Sequence, residues 1–280
     1  MRLKLVLAYV GTNYSGWQIQ CKRNPPPTIQ AALERALGTI CDQPVRVFGA
    51  GRTDAGVHAH AQVAHVDVPD NVAARMRGRW QHSLNALLPQ DIRILDVAPC
   101  APRFHARNDA AHKTYHYQFW QERSFVPPAL APYLWQCGPL DVGAMRAALA
   151  LVPGQRDFAS LQNAGTELES TVRTVMAATL HELPPLPFYP AHTPMLCLEV
   201  TADGFLKQMV RNLAGLLVHV GRGLLDAAAI PDILAAATRT ENPAPTAPPQ
   251  GLFLVRVVYS DAATMWRMRH TPHKSPDDVG

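Results

Sequence analysis

The apolar residues of this chain are divided into short segments, and that division limits what the chain can fold into. Hydrophobic residues make up 48% of the 280 residues and charged residues 17%. Because the apolar residues are dispersed, most of the chain is predicted to fold around a core rather than to stay disordered. No stretch approaches the ~18 uninterrupted apolar residues that span a membrane. The length then predicts one large domain or two of ordinary size.

The N-terminus and the cysteines indicate the compartment. The apolar run at 5–10 is shorter than the core of a secretory signal, which predicts a cytoplasmic protein. The number of cysteines is odd, no CxxC occurs, and no Cys/His cluster has zinc spacing. Reduced thiols are expected, with neither a disulfide framework nor a metal site. The cysteines stand at positions 21, 41, 100, 137 and 197.

Alternation and helical spacing predict the element order β-α-β-β-α-β twice, with one extra helix. The first pass has strands at 3–10, 44–50, 62–68 and 92–97 and helices at 28–41 and 71–88. The second has strands at 112–120, 171–182, 195–202 and 252–259 and helices at 140–152 and 205–220.

This repetition predicts an α+β protein of two ferredoxin-like, or RRM-like, halves. Their antiparallel sheets are expected to join into one continuous sheet with helices packed on one side. The halves are 1–108 and 109–260. Residues 261–280 are polar and lack periodicity, so a poorly ordered tail is predicted there. The proline-rich insertion at 184–194 receives no role.

Positive charge is concentrated in the first third of the chain. The formal net charge is +4, and residues 1–108 carry 13 Lys and Arg against 7 Asp and Glu. Such an excess is typical of proteins that bind nucleic acid, although a plain solvated surface explains it equally well. Arg75, Arg77 and Arg79 belong to this excess and are predicted to lie around one helix.

The densest cluster of chemically useful residues is GAGRTDAGVH at 49–58. Its glycines let the backbone turn tightly around one exposed carboxylate, that of Asp54. Arg52, Thr53 and His58 lie in the same stretch, so the cluster is either a catalytic loop or an ordinary turn, and its residues alone do not decide between the two. The nearby histidines have no metal-ligand spacing, and ordinary hydrogen-bonded histidines are expected.

Two further segments have side chains suited to RNA. Tyr115 and Tyr117 share one face of a strand, where they either pack in a core or form a platform for an unstacked base. FLKQMVRN at 205–212 is predicted to begin a helix with two cations, Lys207 and Arg211. Arg211 stands among apolar residues, so it either meets an anionic partner or lies at a solvent-exposed margin of the helix.

Five motifs together resemble the tRNA pseudouridine synthase A family. They occur in the family's order: YSGWQ at 14–18, GRTDAGVHA at 51–59, FHAR at 104–107, KTYHY at 113–117 and FLKQMVRN at 205–212. The resemblance covers roughly residues 3–259, and GRTDAGVH is its most specific part. It implies an isomerase that converts uridines 38, 39 and 40 of the tRNA anticodon stem-loop to pseudouridine. It also implies a homodimer that uses no cofactor.

The resemblance also implies roles for individual residues. Asp54 matches the family's essential aspartate, Tyr115 its active-site tyrosine, and Arg211 the basic residue that pairs with the aspartate. Arg52 matches the arginine that helps to extrude the target nucleotide. A uridine in a stem must leave the stack to be reached, and Arg52 is expected to occupy the space that it vacates.

The chemistry agrees with these roles. The N1–C1′ bond must break and a C5–C1′ bond must form. The carboxylate of Asp54 either attacks C1′ or takes a proton from the sugar, and the sequence does not choose between these routes. Arg211 is expected to keep that carboxylate ionised and oriented. Tyr115 is expected to lie against the uracil with its hydroxyl available for proton transfer.

His58 and Lys207 are predicted to bind the substrate together with Arg52 and Tyr115. The alternative function is a non-catalytic RRM-like RNA-binding protein, which needs the same basic face and aromatic residues. Such a protein has no use for the carboxylate of Asp54, because that charge repels phosphates. A hydrolase needs a second acid–base group in the cluster, and only His58 is available.

Overall fold

The computed structural model describes residues 1–165, 169–184 and 195–260. Almost all of the proline-rich insertion at 184–194, and all of the predicted tail at 261–280, lie outside the described residues. Within the described ranges the chain forms ten strands and six α-helices.

The strands are β1 (Arg2–Tyr9), β2 (Val47–Gly49), β3 (His58–Asp67), β4 (Ile92–Pro99), β5 (Ala110–Trp120), β6 (Trp135–Gln136), β7 (Gly154–Asp157), β8 (Val172–Leu183), β9 (Met195–Ala202) and β10 (Leu252–Tyr259). The helices are α1 (Ile29–Cys41), α2 (Asp70–Arg75), α3 (Trp80–Leu87), α4 (Val142–Leu149), α5 (Met209–Gly221) and α6 (Ile230–Ala235).

All ten strands belong to one sheet. Its order is β4-β1-β3-β10-β5-β9-β8-β7, with β2 paired to β3 and β6 paired to β5. Strand β10 therefore lies between a strand of the first third of the chain and a strand of the middle. It pairs parallel with β3 and antiparallel with β5, so the two predicted antiparallel sheets join through a parallel pairing. The mixed architecture of helices and one large sheet is confirmed.

Strand β1 shows how the two faces of the sheet differ. Its alternate residues Leu3, Leu5 and Leu7 belong to the main core, which also contains the buried apolar residues of all six described helices. Val6 points to the other face, where it packs on a small cluster that includes Phe104. This period-2 alternation is what a sheet with one helix-covered face requires.

The prediction of a single helix at 71–88 is wrong, because the structure has two short helices there. Helix α2 ends at Arg75, α3 begins at Trp80, and Gly78 between them has φ +73. That left-handed conformation suits glycine and cannot continue a right-handed helix. The three neighbouring arginines therefore do not lie around one helix, because Arg75 ends α2 and Arg79 precedes α3.

Two further boundaries move residues of interest. Helix α5 begins at Met209 rather than Phe205, because Gln208 has the left-handed φ of 63. Lys207 consequently lies in the loop before the helix, whereas Arg211 lies in its first turn. Strand β3 begins four residues earlier than predicted, which places His58 at the start of a strand instead of in a loop.

Helix α5 packs closely against residues 243–249, which we call the 243–249 segment. A Cβ on Gly215 would lie 2.0 Å from the carbonyl oxygen of Pro245, a distance that real atoms do not reach. The absence of a side chain at position 215 thus lets the segment cross the helix.

We expect Gly215→Ala to lower the free energy of unfolding by about 1–3 kcal/mol, the usual cost of overpacking. Gly38→Ala is the matched control, because Gly38 also lies within a helix and its Cβ would approach nothing closer than 3.5 Å. That control should stabilise the protein by about 0.5–1 kcal/mol through helix propensity. Urea denaturation measures both, and changes of the same sign would contradict the close packing.

Candidate active site

The loop at 50–57, between β2 and β3, rests on the segment that contains YSGWQ. The amide of Trp17 donates to the carbonyl of Thr53 at 3.0 Å. Gly16 has φ +87, and a Cβ there would lie 2.5 Å from that same carbonyl oxygen. Position 16 therefore requires glycine for two reasons: its backbone is in the left-handed conformation, and a side chain would collide with the Thr53 carbonyl. The first motif thus supports the loop that carries Asp54.

Buried polar side chains of the sheet bind this loop through hydrogen bonds. The hydroxyls of Tyr9 and Thr53 are 2.8 Å apart, and Gln62 Nε2 donates to the carbonyl of Gly51 at 2.9 Å. Burial raises the pKa of Tyr9 to about 12, so its phenol stays protonated at neutral pH. Sequence reasoning missed Tyr9 and Gln62, because each has the ordinary pattern of a strand residue.

Asp54 and Arg211 are brought together from positions 157 residues apart. Nη1 of Arg211 donates to Oδ2 of Asp54 at 3.1 Å. The side chain of Asp54 is 35% exposed and that of Arg211 only 12%. The carboxylate is therefore held on one side by the guanidinium and open to a ligand on the other.

Arg211 is itself fixed by the 243–249 segment. Its Nε donates to the carbonyl of Ala247 at 2.7 Å, and the amide of Ala247 donates to the carbonyl of Arg211 at 3.1 Å. The segment also reaches the sheet, since Tyr117 donates its hydroxyl to the carbonyl of Pro248 at 2.7 Å. The sequence predicted no role for the 243–249 segment. It holds the arginine in position.

Tyr115 lies on β5, and its side chain extends toward the loop at 50–57 that carries Asp54. It is buried, and its ring packs edge-on against Phe205 with centroids 4.9 Å apart. Its hydroxyl oxygen is 4.0 Å from the position that a Cβ of Gly51 would take, so the phenol ends at the Asp54 loop. Burial, followed by the charges of Tyr9 and Asp54, raises the pKa of Tyr115. The phenol is therefore a proton donor at neutral pH.

Arg52 and Lys207 lie at the surface around this centre. Arg52 is exposed in the same loop, two residues before Asp54. Lys207 is exposed just before α5, and its Nζ donates to the carbonyl of Ala164 at 2.7 Å. Both cations are placed where a bound polyanion could reach them.

His58 does not belong to this group. It is 1% exposed, its Nδ1 accepts from the Gly11 amide at 3.1 Å, and its Nε2 donates to the Pro132 carbonyl at 3.0 Å. Its ring also stacks on Phe253 at 4.7 Å. Burial lowers the pKa of His58, so it is a neutral structural residue. We correct the sequence prediction by removing His58 from the substrate-binding set, since both ring nitrogens already bind backbone groups.

Two properties of the described ranges bear on the class of site. No group of three or more His, Cys, Asp or Glu in these ranges is arranged to hold a metal ion. No helix described there is long and apolar enough to cross a membrane. The five cysteines are free, and Cys21 is the exposed one.

A carboxylate fixed by an arginine beside a protonated phenol is an arrangement for nucleophilic or acid–base catalysis, so the fold and site define an enzyme. The family model described as tRNA pseudouridine synthase matches residues 5–109 and 147–260. The chain belongs to this tRNA pseudouridine synthase family, which confirms the resemblance predicted from the motifs.

Curated relatives agree with that membership. Proteins named tRNA pseudouridine synthase A from Nitratidesulfovibrio vulgaris (strain Miyazaki F) and Oleidesulfovibrio alaskensis are each 50% identical to the chain. The alignments cover 92% and 93% of this chain and 99% and 97% of those relatives. A protein of the same name from Moorella thermoacetica is 40% identical, with 92% of this chain and 99% of the relative covered.

We expect Gly16→Ala to lower turnover about a hundredfold, because a shift of ~1 Å in the Asp54 loop misplaces the reacting group. Gly78→Ala is the matched control. Gly78 also has a positive φ, of +73, but a Cβ there would meet nothing within 4 Å. Both variants should lose about 1–2 kcal/mol of stability to backbone strain, and Gly16→Ala should lose about 1–3 kcal/mol more because its Cβ would lie 2.5 Å from the Thr53 carbonyl oxygen. Turnover measured below both melting temperatures separates the effects, and equal turnover in the two variants would refute the supporting role of Gly16.

Proposed function

We propose that this chain converts uridine to pseudouridine at positions 38, 39 and 40 in the anticodon stem-loop of tRNA. Membership in the tRNA pseudouridine synthase family makes it an isomerase that acts on uridine in tRNA, as the sequence predicted. The three positions are inferred from the motif resemblance. The observation that carries the proposal is the contact between Asp54 and Arg211.

Asp54 is the proposed reacting group. Its carboxylate is open on the side away from Arg211, so C1′ of a bound uridine can reach it. In one route the carboxylate attacks C1′, the N1–C1′ bond breaks, and uracil leaves. In the other it removes a proton from C2′ of the sugar, and the N1–C1′ bond breaks so that uracil leaves and a C1′–C2′ double bond forms. The carboxylate returns that proton to C2′ when C5 bonds to C1′. In both routes uracil turns, C5 bonds to C1′, C5 loses its proton, and the carboxylate is regenerated.

Tyr115 and Arg211 are the proposed catalytic partners. Arg211 orients the carboxylate, and its bond to Ala247 limits the movement of the guanidinium. The phenol of Tyr115 remains protonated because of its raised pKa, so it can donate to uracil before it accepts a proton back. Its ring offers a surface for the detached base beside Phe205.

Arg52 and Lys207 are the proposed substrate-binding cations. Arg52 extends from the Asp54 loop and is the side chain placed to enter the stack when the target nucleotide leaves it. Lys207 donates one N–H of its ammonium to the carbonyl of Ala164, which leaves its other donors available for a phosphate.

The finer description of the architecture belongs to the same proposal. Two ferredoxin-like halves, 1–108 and 109–260, agree with the position of β10 between β3 and β5. Packing of the helices on one side agrees with the single main core that contains their apolar residues. A homodimer and the lack of a cofactor are proposed from the family resemblance, and a cytoplasmic location from the short apolar run at 5–10.

We expect Asp54→Asn to abolish isomerisation, because an amide is a poor nucleophile and a poor base. Affinity for tRNA should persist or increase, since a negative charge that faces phosphates is removed. Stability should fall by no more than about 1 kcal/mol, because the Arg211 pair is partly exposed to solvent. Tritium release from tRNA labelled at uracil C5 measures turnover, and a binding assay and a thermal melt complete the test.

Asp96→Asn is the control for this experiment, because Asp96 is an exposed residue of β4. It should keep full tritium release. Turnover retained in folded Asp54→Asn protein would refute the catalytic assignment. Wild-type protein that binds tRNA and releases no tritium would instead support the non-catalytic RNA-binding alternative.

We expect Tyr115→Phe to bind tRNA normally and to lose turnover, because it keeps the ring and removes only the hydroxyl. Tyr115→Ala should also weaken binding by about 1–3 kcal/mol, the value of a base–aromatic stack. Single-turnover kinetics and tRNA affinity distinguish these effects. Full turnover in Tyr115→Phe would eliminate the chemical role of the hydroxyl, and a fully active Tyr115→Ala would leave the residue a packing role alone.

A further inference from the structure

Lys113 reaches the Asp54 loop, yet none of the roles above uses it. It precedes Tyr115 by two residues on β5, so both side chains lie on the same face of the sheet. From the position that a Cβ of Gly51 would take, Lys113 Nζ is 3.9 Å away and the Tyr115 hydroxyl 4.0 Å away. The ammonium and the phenol therefore converge on one glycine, three residues before Asp54.

Lys113 is surrounded by positive rather than negative charge. Burial, followed by the charges of Arg107 and Arg173, lowers the pKa of Lys113 to about 8. Among the described residues, no carboxylate oxygen lies within 4.0 Å of the cationic groups of these three side chains. The buried ammonium of Lys113 is costly without a counter-charge, and phosphate oxygens supply one.

The three cations come from different elements. Arg173 lies on β8, with its Nε 3.2 Å from the position of a Cβ on Gly204. Arg107 is exposed in the loop that precedes β5. The carboxylate of Asp203 accepts from the amide of Thr174 at 3.0 Å and forms no ion pair within 4.0 Å with any of these three cations. The positive region is therefore built by the fold around Lys113.

We propose that Lys113, supported by the positive charges of Arg107 and Arg173, binds a backbone phosphate next to the target uridine and so positions the ribose at Asp54. The inference rests on the proposed function, and it adds a substrate-binding residue to it. Every ribose in RNA is flanked by phosphates, so one nucleotide can place its C1′ at the carboxylate and a phosphate at Lys113. Glycine at position 51 leaves the space between them open.

The first test compares Lys113→Met with Lys113→Arg on full-length tRNA. One lost phosphate contact should reduce the slope of log affinity against log salt by about 0.7–0.9, and the arginine variant should keep the slope. We expect kcat/KM of Lys113→Met to fall at least about tenfold. Lys4→Met is the matched control, because it removes the same positive charge. Lys4 alternates with Leu3 and Leu5 along β1 and so lies on the opposite face of the sheet.

The second test locates the phosphate. A set of tRNAs is assembled in which one linkage near the target uridine is a neutral methylphosphonate. At one linkage, wild type should lose about tenfold in affinity and Lys113→Met should lose nothing further, which a double-mutant cycle detects as coupling. A merely structural role for Lys113 would give no such coupling at any linkage.

The pH dependence supplies a third readout. Free Lys113 loses its proton near pH 8 and only the protonated form binds phosphate, so wild-type affinity should fall about tenfold between pH 7 and pH 9. Lys113→Arg should lack this component, because its guanidinium stays charged. The phenol of Tyr115 does not interfere, since its raised pKa keeps it protonated in this range.

The outcomes separate this inference from the proposed function. Wild type that releases no tritium refutes the proposed function, whatever the variants do. Active wild type with unchanged salt slope, unchanged kcat/KM and no coupling in a folded Lys113→Met protein overturns the role of Lys113 alone. An equal loss in Lys4→Met would also overturn it, because the effect would then be one of net charge.

Discussion

The hydrogen bond between Arg211 and Asp54 depends on the placement of β10 more than on any neighbouring residue. Strand β10 pairs with β3 on one side and with β5 on the other. It thereby sets the distance between the loop that carries Asp54 and the strand that carries Tyr115. The 243–249 segment leads directly into β10 and fixes Arg211 on the way. The position of β10 between β3 and β5 thus brings together the three proposed catalytic side chains, those of Asp54, Tyr115 and Arg211.

The loop around Asp54 is shaped by backbone contacts that side chains would prevent. A Cβ on Gly11 would lie 2.0 Å from the carbonyl oxygen of Val57, and one on Gly49 would lie 2.6 Å from the ring of Trp17. Contacts this close leave the loop few alternative conformations, because interiors pack densely and deform little. The backbone position of the loop therefore comes from residues that have no chemical function, whereas Arg211 orients the carboxylate itself.

Local sequence signals predicted the fold where neighbouring residues decide it. The helix predicted at 28–41 is confirmed, and its N-cap is Thr28, whose hydroxyl oxygen accepts from the Ala31 amide at 3.3 Å. The strand predicted at 252–259 has the same bounds in the structure. The supports of the site lie far apart along the chain, and no local pattern reports contacts such as that of Arg211 with Ala247.

The separation of cations around the site answers an objection that the sequence alone raised. A carboxylate facing RNA repels phosphates, so an RNA-binding surface should avoid one. Here Arg211 faces Asp54 and is tied to the backbone by Ala247, which assigns its charge to the carboxylate rather than to the ligand. The cations around Lys113 have no carboxylate of their own among the described residues, and their charge is left for the polyanion. Because each negative group then has its own positive partner, a reactive carboxylate and a phosphate can occupy the same site.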